Sequence, residues 1–511
     1  MGDPSVASSC RTFLAASVAA VLTGGLITVT AGTAVAAPAA AGVKSDFNGD
    51  GIRDVAVASP GARVDRVDGA GAVTAFYGSP AGVSAGRHTN ISQNTAGVPD
   101  GAEPLDFFGA ATTAGDFDSD GFSDLAVSAV REDVGGDADA GTVQILWGSP
   151  QGLSGGSTLT DPAPDRHDRF GASLAAGDFD GDGTDDLAVG TTSATLHVFS
   201  RGISRAGKPG AVSARPLPLR AAAGAGILNL TAGDVNKDGR DDLMVNGLNP
   251  VKSATDGKYH NVNHYVPGSA SGPSAAGGKR MPGGDSGAIG DLDGDGYGDI
   301  VTGVWWGRGT PDGPPGGKVV ITHGSSRGPS ARTRTITQES GAIRGDSEGW
   351  DKFGRAVAVG DINGDGRLDL AIGAPDENMR LSPGGGGVSY YMGTVTVLRG
   401  TARGVDTEAG TQYFHHATPG VPGAANGGEV LGSALMLQDL NGDRAADLVA
   451  GAPGDSNGDG SALVLYSDGA AIGTEGAKLL WAKLVGLDPV GFPNFGAALD
   501  TSRTRYIWHD Q

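Results

Sequence analysis

Aspartates at alternate positions of a tight loop are the residues of this sequence best placed to do chemistry. The segment 177–190 reads GDFDGDGTDDLAVG, with Asp178, Asp180 and Asp182 at the first, third and fifth positions of a loop and Asp186 at the ninth. Such a cluster repels itself unless a cation lies at its centre. Ca²⁺ is a hard ion that takes six to eight oxygen ligands at about 2.3–2.6 Å, so the spacing predicts a calcium loop.

The residues after the aspartates show which kind of calcium loop this is. Gly183, at the sixth position, permits the positive φ of a sharp turn, and the carbonyl of Thr184, at the seventh, is available as a neutral ligand. An EF-hand needs a glutamate at position twelve and a helix on each side. Here position twelve is Val189, within a large–small–large run typical of a strand. The loop is therefore predicted to join two strands.

The same loop recurs along the chain. Seven segments fit the pattern D-x-[DN]-x-D-x-x-x-D, and their first residues are separated by 56 to 78 residues, a length that suits four short strands and their connections. The predicted ligands are the side chains at positions one, three, five and nine and the carbonyl at position seven. They are Asp46, Asn48, Asp50, Ile52 and Asp54; Asp116, Asp118, Asp120, Phe122 and Asp124; Asp178, Asp180, Asp182, Thr184 and Asp186; Asp234, Asn236, Asp238, Arg240 and Asp242; Asp291, Asp293, Asp295, Tyr297 and Asp299; Asp361, Asn363, Asp365, Arg367 and Asp369; and Asp439, Asn441, Asp443, Ala445 and Asp447.

We expect up to seven Ca²⁺ ions, with a structural rather than a catalytic role, because carboxylates that ligate the ion are not free to act on a substrate. Asparagine at the third position of four loops lowers their charge. Repeat seven is expected to be the weakest site, since Arg444 replaces the loop glycine and adds a positive charge. The alternative is that some loops are polar turns with no ion.

Motifs on both sides of the loops repeat as well. Phe-Gly precedes the loop at 108–109, 170–171 and 353–354, and Gly-Ala-Pro follows it at 373–375 and 451–453. In this order the motifs resemble the FG-GAP repeat, the blade unit of the integrin α-subunit N-terminal β-propeller. Repeats four and five lack Phe-Gly, and repeats two to five lack a clean Gly-Ala-Pro. The resemblance implies an all-β, seven-bladed β-propeller with calcium-binding hairpin loops on the rim away from ligand contacts.

Closure of such a ring has its own signal in the sequence. Repeat one has no Phe-Gly strand ahead of Asp46, whereas the segment 495–499, FGAAL, has no loop after it. We expect this C-terminal segment to form the inner strand of blade one and so close the ring. The predicted organisation is a signal peptide at 1–36, a short linker at 37–42, the propeller at 43–502 and a C-terminal tail at 503–511.

Composition narrows the class of protein. The chain has 511 residues, of which 90 are glycine and 27 proline, and it carries a formal net charge of −21, which disfavours nucleic acid as a partner. An apolar run after Arg11 followed by Ala34-Val35-Ala36 predicts an export signal, the alternative being an uncleaved anchor. The single cysteine, Cys10, precedes this apolar run and lies within the predicted signal peptide. We therefore expect a secreted or cell-surface monomer without disulfides, and with no membrane span once the signal is cleaved.

The partner is expected on the rim opposite the calcium loops, and we predict an extracellular protein or glycan. Exposed aromatics there would stack on a sugar or anchor a protein, although packing of loops onto the ring explains them equally well. The candidate aromatics are Trp305, Trp306, Trp350 and Tyr391. The candidate loops are 60–71, 129–141, 303–317, 344–352 and the glycine-rich stretch that ends at Tyr390 and Tyr391.

The favoured function is a binding or adhesion module, and the alternative is an extracellular hydrolase or lyase with catalytic groups at the channel mouth. No catalytic motif is recognised. His167 lies near Asp165 and Asp168 in what is expected to be a solvated loop. Three further motifs are expected to carry little function: the tripeptide 344–346 (RGD), the loop-like segment 455–460, and the glycosylation patterns at Asn90 and Asn229.

Overall fold

The architecture was examined in a computed structural model, which describes Met1 and residues 44–222, 225–305, 315–380, 388–488 and 490–499. Ala39–Gln511 forms one compact unit. The predicted signal peptide, linker and tail, at 1–36, 37–42 and 503–511, lie almost wholly outside the described residues, and so does Trp306.

The described chain is nearly all β, in seven four-stranded antiparallel sheets. Strands are the expected outcome of short apolar runs bounded by glycine-rich turns. Blade one contains β1 (Val55–Ser59), β2 (Ala72–Phe76) and β3 (His88–Ile91); blade two, β4 (Phe108–Gly115), β5 (Asp124–Ala129), β6 (Thr142–Trp147) and β7 (Ser154–Leu159); blade three, β8 (Ser173–Gly177), β9 (Asp186–Gly190), β10 (Thr195–Ile203) and β11 (Pro209–Pro216); blade four, β12 (Ile227–Gly233), β13 (Asp242–Leu248), β14 (Asn261–Val266) and β15 (Lys279–Met281); blade five, β16 (Ser286–Gly290), β17 (Asp299–Val304), β18 (Lys318–Thr322) and β19 (Thr333–Ile336); blade six, β20 (Val357–Gly360), β21 (Asp369–Ala374), β24 (Thr394–Leu398) and β25 (Gln412–Phe414), with the added hairpin β22 (Met379–Arg380) and β23 (Val388–Ser389); blade seven, β26 (Ala434–Gln438), β27 (Asp447–Ala452), β28 (Ser461–Leu465) and β29 (Lys478–Trp481); and β30 (Ala498–Leu499) returns to blade one.

Helical structure in the described residues is limited to short turns. The 3₁₀ turns are Pro164–Arg166 and Ala482–Val485, and one four-residue helical turn spans Asp455–Gly458.

The C-terminal strand closes the ring, as predicted. β30 pairs antiparallel with β1, with Val57 opposite Leu499 and Ala58 opposite Ala498. β30 also contacts the inner strands β26 of blade seven and β4 of blade two. Blade one therefore joins the two ends of the repeat array, and the all-β seven-bladed propeller is confirmed.

Where it is present, the Phe-Gly motif connects a blade to the preceding one. Phe108 is fully buried, and its backbone bridges to Gly71, the residue before β2 of blade one. A Cβ on Gly71 would lie 2.2 Å from the carbonyl oxygen of Phe108, so only glycine fits. Gly109 has φ +94, a conformation open to glycine. Equivalent bridges join Gly317 to Phe353 and Gly393 to Leu431.

Hydrophobic cores fill the spaces between neighbouring blades. One of them contains Ala58 and Val73 of blade one and Phe108 and Val127 of blade two, all fully buried. Small and large residues alternate on these strands, so the sheets stack closely around the axis. The inner strands line a central cavity of about 420 Å³.

Candidate functional site

The seven aspartate loops share one rim, here called the aspartate rim. In blades two to seven the loop connects the first and second strands of the sheet, and in blade one it leads into β1, which lies next to β30. The opposite rim is here called the variable rim. It contains the connections between the second and third strands of each blade and the connections from one blade to the next. The predicted metal ligands are therefore separated from the candidate partner loops.

The first aspartate of each loop organises the turn. In loop three the carboxylate of Asp178 accepts backbone hydrogen bonds from Gly181 at 2.7 Å, Asp182 at 3.1 Å and Gly183 at 2.9 Å. Asp182 in turn accepts the N–H of Thr184 at 2.9 Å. These bonds fold the loop so that its side-chain oxygens converge. The same pattern around the first aspartate is present in loops one, four, five, six and seven.

Asparagine at the third position is placed in the same way as aspartate. The Oδ1 atoms of Asn48, Asn236, Asn363 and Asn441 each accept the N–H of the fifth residue at 2.9 Å. Asparagine therefore lowers the negative charge of the loop but keeps an oxygen atom at that position as a possible metal ligand.

The ninth aspartate ties the loop to the turn before the fourth strand. Asp54 is fully buried and accepts the N–H groups of Phe47 and Gly78, both at 2.8 Å. The other six ninth-position aspartates are at most 1% exposed. Each accepts one backbone N–H from its own loop and one from the third strand or the turn that follows it.

These buried carboxylates are electrostatically strained in the absence of a cation. Burial, with a contribution from neighbouring carboxylates, raises the pKa of Asp54, Asp124 and Asp186 to about 8. Burial likewise raises the pKa of Asp447 to about 7. Of the seven ninth-position aspartates, only Asp299 has a basic side chain within ion-pair distance among the described residues.

The loop residues fit a calcium ion. In loop two, oxygens of Asp116, Asp118 and Asp124 lie within 4.8 Å of one another, and the corresponding groups of loop three do the same. The Oδ1 atom of Asp118 is buried without a hydrogen-bond partner among the described residues. A dication among these oxygens would supply the missing partner and neutralise the repulsion. The side chains at positions one, three, five and nine would hold it.

The structure places a basic side chain at ion-pair distance from a carboxylate in six of the seven loops, and the shortest of these contacts are in loops two and five. In loop five, His323 Nδ1 lies 3.1 Å from Asp299 Oδ1 and 3.4 Å from Asp293 Oδ2, and Arg332 contacts the same Asp293 oxygen at 3.0 Å. In loop two, Arg205 Nε lies 2.8 Å from Asp118 Oδ2.

Loop seven differs in its backbone. Arg444 adopts φ 75, where the other six loops have glycine, and its N–H still bonds Asp439 at 2.8 Å. Loop seven therefore keeps its shape, whereas in loop five the basic side chains of His323 and Arg332 contact the predicted ligands.

The variable rim exposes large apolar side chains. Trp350 is 72% exposed, and Tyr390, Tyr391 and Phe492 are also exposed. Trp350 has φ 90 and Phe492 φ 57, and both precede the motif aromatic of their blade by three residues. Bulky residues rarely take positive φ, and such strain concentrates at functional sites.

Trp305 behaves differently from these residues. Its ring is covered by Arg355 at 4.9 Å and Lys352 at 5.5 Å, measured from the ring centre. Packing of loops onto the ring thus explains Trp305, whereas Trp350 and Tyr391 remain exposed.

One sequence expectation is wrong. His167 does not lie in a solvated loop; it is 8% exposed, stacks against Phe170 and lies beside His197. No pattern in the sequence predicts this contact, because His197 is on a separate strand.

The remaining motifs have plain structural roles. Asn90 donates to the carbonyl of Val485, and Asn229 donates to that of Asp285 at 3.1 Å, so both side chains take part in contacts between segments. The segment 455–460 forms a turn, as expected. Residues 344–346 are exposed on the variable rim.

Fold and loops together define a seven-bladed β-propeller with repeated acidic hairpins. The FG-GAP repeat family model matches residues 37–76, 108–146, 170–213 and 353–392, which include strands of blades one, two, three and six, so this propeller contains FG-GAP repeats. Among curated proteins, phosphatidylinositol-glycan-specific phospholipase D of Rattus norvegicus is 34% identical over 160 residues, which cover 31% of this chain and 19% of that protein.

Integrin α subunits are similar over a longer part of the chain. Integrin alpha-PS2 of Drosophila melanogaster is 30% identical over 224 residues, covering 40% of this chain and 15% of that protein. Integrin alpha pat-2 of Caenorhabditis briggsae is 28% identical over 242 residues, covering 41% and 18%. The matches thus span about a fifth or less of the length of these relatives.

Solved structures similar to the chain include two proteins. One is the Dos1 propeller, with a TM-score of 0.37 and 11% identity, covering 70% of this chain and 69% of that one. The other is Sqt1 of Chaetomium thermophilum, with a TM-score of 0.39 and 12% identity, covering 71% and 70%. In the described part of the chain, no helix has the length and apolarity needed to cross a membrane.

Proposed function

We propose that this protein is a secreted, calcium-stabilised binding propeller, in which the aspartate rim holds structural ions and the variable rim contacts an extracellular protein or glycan. The observation that carries the proposal is the repeated burial of a ninth-position aspartate beside further ligand oxygens. Among the described residues only one of these seven aspartates, Asp299, has a basic side chain at ion-pair distance. Burying unpaired charge is costly, and a bound dication removes that cost.

Calcium is the ion favoured by these donors. Carboxylate and amide oxygens in a short flexible loop suit Ca²⁺, whereas the loops other than loop five offer no nitrogen or sulfur ligand. The bound ion supplies charge neutralisation, and the chain's own carboxylates orient the hairpins that hold neighbouring blades together. Inter-blade bonds run through the loops themselves: Ser123 N–H donates to the carbonyl of Asp46 at 2.9 Å, and Ala446 N–H to that of Asp361 at 2.7 Å.

Metal analysis of the purified mature chain tests this part of the proposal. Dialysis against buffered Ca²⁺ followed by elemental analysis is expected to give several ions per chain, and the variant Asp186→Asn is expected to lose one. Asp165→Asn is the matched control, since Asp165 is exposed and outside every loop. A calcium-free protein, or equal calcium contents in the two variants, would contradict the proposal.

The binding role rests on the variable rim. Exposed apolar residues lie on blades that are consecutive around the ring: Trp350 and Tyr391 at blade six, Phe492 at the junction of blades seven and one, and Leu105 at the junction of blades one and two. Leu105 also has positive φ, 70. Large apolar groups held in strained conformations and left in water are what a partner surface needs.

A glycan array and a panel of extracellular matrix proteins, each probed with and without Ca²⁺, would identify the class of partner. Trp350→Ala is expected to reduce binding about tenfold or more, as anchors at interfaces do, while Val212→Ala on the outer strand β11 leaves binding unchanged. Binding that resists Trp350→Ala and Phe492→Ala together would argue against this rim.

A catalytic role is the second candidate, favoured by the similarity to the phospholipase D named above. The shared region covers 19% of that enzyme, so its activity does not transfer to this chain by similarity alone. Incubation with phosphatidylinositol-glycan substrates is the direct assay, and hydrolysis that depends on the purified chain would establish the enzyme.

A further inference from the structure

A group of acidic side chains on the variable rim belongs to none of the aspartate loops. It lies where blade five meets blade six, and its members come from the connection between β19 and β20 and from the turn after β21. One carboxylate oxygen from each of Glu348, Asp351 and Glu377 lies within 4.8 Å of the other two. Two oxygens bound to the same Ca²⁺ at about 2.3–2.6 Å are at most about 5 Å apart, so these atoms can share one ion.

Two of the three carboxylates are buried without a compensating charge. Asp351 is fully buried and Glu377 is 3% exposed. Lys352, the residue after Asp351, pairs with Asp376 at 2.7 Å instead. In the part of the chain that the structure describes, no basic side chain lies within ion-pair distance of the three carboxylates. Burying unpaired carboxylates is costly, and a bound cation removes that cost.

Two buried oxygens beside this group lack hydrogen bonds. Asp351 Oδ2 accepts the N–H of Glu348 at 2.6 Å, but its Oδ1 has no partner among the described residues. Gln338 is 3% exposed and donates Nε2 to Glu377 Oε2 at 2.6 Å, so its amide lies against the group. The Oε1 atom of this amide is likewise buried and without a partner in the described chain. Acceptors at one place with no donor for either indicate a cation, and the neutral Gln338 gives this evidence independently of the acidic residues.

Two glycines leave space around the amide and the carboxylates. A Cβ on Gly316 would lie 3.2 Å from Gln338 Oε1 and 3.0 Å from the carbonyl oxygen of Glu348, so the amide oxygen lies beside the segment that carries Glu348. A Cβ on Gly345 would lie 2.8 Å from Gln338 Nε2 and 3.5 Å from both carboxylate oxygens of Glu377. A side chain at either position would enter the space that the ligand atoms border.

The same four positions recur at two other junctions between blades. They lie fifteen, five and two residues before the motif Phe or Leu and twenty-four residues after it, and they are occupied by Gln338, Glu348, Asp351 and Glu377 around Phe353; by Gln93, Glu103, Asp106 and Glu132 around Phe108; and by His416, Asn426, Glu429 and Asp455 around Leu431. In the last of these junctions His416 Nδ1 lies 2.7 Å from Glu429 Oε2. The chain there places its own basic group beside the buried carboxylate, whereas Gln338 brings an oxygen to the corresponding place.

We propose that Glu348, Asp351 and Glu377, with Gln338 Oε1 as a neutral ligand, bind a hard dication of the Ca²⁺ class on the variable rim. All four ligands are oxygens, which suits Ca²⁺, whereas metals such as Zn²⁺ favour nitrogen and sulfur ligands. Glu348 and Asp351 flank Trp350, so the ion holds the loop that presents this exposed ring. The site does not depend on the aspartate loops and remains if those loops prove free of calcium.

Elemental analysis of the full mature chain, dialysed against buffered Ca²⁺, tests the proposal. Glu377→Gln keeps the shape of the side chain and is expected to bind one Ca²⁺ fewer than the wild type. Asp455→Asn is the matched control, because Asp455 has the equivalent position at the junction that contains His416, and it should keep the wild-type calcium content. Equal calcium contents in the wild type and Glu377→Gln would overturn the proposal.

Asp186→Asn reports separately on the aspartate loops. If Asp186→Asn loses an ion and Glu377→Gln does not, the variable-rim site is wrong and the calcium loops stand. If Glu377→Gln loses an ion and Asp186→Asn does not, the variable-rim site stands and the calcium loops are wrong.

A wild-type crystal soaked in Tb³⁺, which binds oxygen ligands as Ca²⁺ does, locates the ion by anomalous scattering and keeps the proposal testable if Glu377→Gln folds poorly. We expect a peak between Asp351 Oδ1 and Gln338 Oε1. Water alone at that position, or peaks confined to the aspartate loops, would overturn the assignment.

Discussion

Removal of the closing strand should cost most of the stability of the propeller. Phe495 and Leu499 are fully buried, and Phe495 packs edge-on against Phe76 at 6.1 Å between ring centres. Burial of a Phe or Leu side chain is worth about 1.5–3 kcal/mol, so the two together contribute about 3–6 kcal/mol. Strand hydrogen bonds and the bond from Thr112 Oγ1 to the Leu499 carbonyl at 2.8 Å add to this. The free energy of unfolding of a folded domain is only about 5–15 kcal/mol in total.

The assay is urea unfolding in buffer that contains Ca²⁺, followed by tryptophan fluorescence. Deletion of 495–511 is expected to lower the midpoint strongly or to prevent folding, and Phe495→Ala alone to cost about 3–5 kcal/mol. Truncation after Leu499 is the matched control, because it removes a similar C-terminal segment but keeps β30. If the two truncations unfold at the same urea concentration, blade one does not depend on its C-terminal strand and the closure argument is wrong.

Three further predictions concern the aspartate rim. Burial raises the pKa of Asp54 and Asp186 in the folded protein to about 8, so these two groups cause the metal-free protein to lose stability as pH rises from about 4 to about 8. The increase in Tm caused by Ca²⁺ should therefore grow over the same pH range. An increase in Tm that is independent of pH in calorimetric scans would contradict this. Arg444→Gly relieves a positive φ and should stabilise the fold by about 1 kcal/mol in urea unfolding, whereas no gain would show that the arginine is unstrained. His323→Tyr, which introduces the residue found at the matching positions in blades one and seven, removes a competitor from loop five; elemental analysis should show one more bound Ca²⁺, and unchanged stoichiometry would mean that the wild-type loop already binds the ion.

The sequence was sufficient for the repeated parts of this molecule. Loop positions, strand alternation and the closing segment follow from local spacing, because turns and strands depend on residues close in sequence. The position of Asp54 at the end of a loop, next to an apolar strand, thus follows from the pattern alone.

Contacts between distant segments could not be predicted. His323 and Arg332 reach loop five from the connection between β18 and β19, and Arg205 reaches loop two from blade three. The pairing of His167 with His197 depends on the path of a connection across the blade. Such contacts depend on three-dimensional packing, for which a single sequence has no periodic signal.

Pairing of Ala58 with Ala498 has a consequence for biosynthesis. The two residues lie at opposite ends of the repeat array, so this contact forms only after the whole array has left the ribosome. Long-range contacts of this kind slow folding because a very large loop must close first. Until then the edge of β1 that pairs with β30 is uncovered. A chaperone or export factor that shields this edge would protect the nascent chain from aggregation.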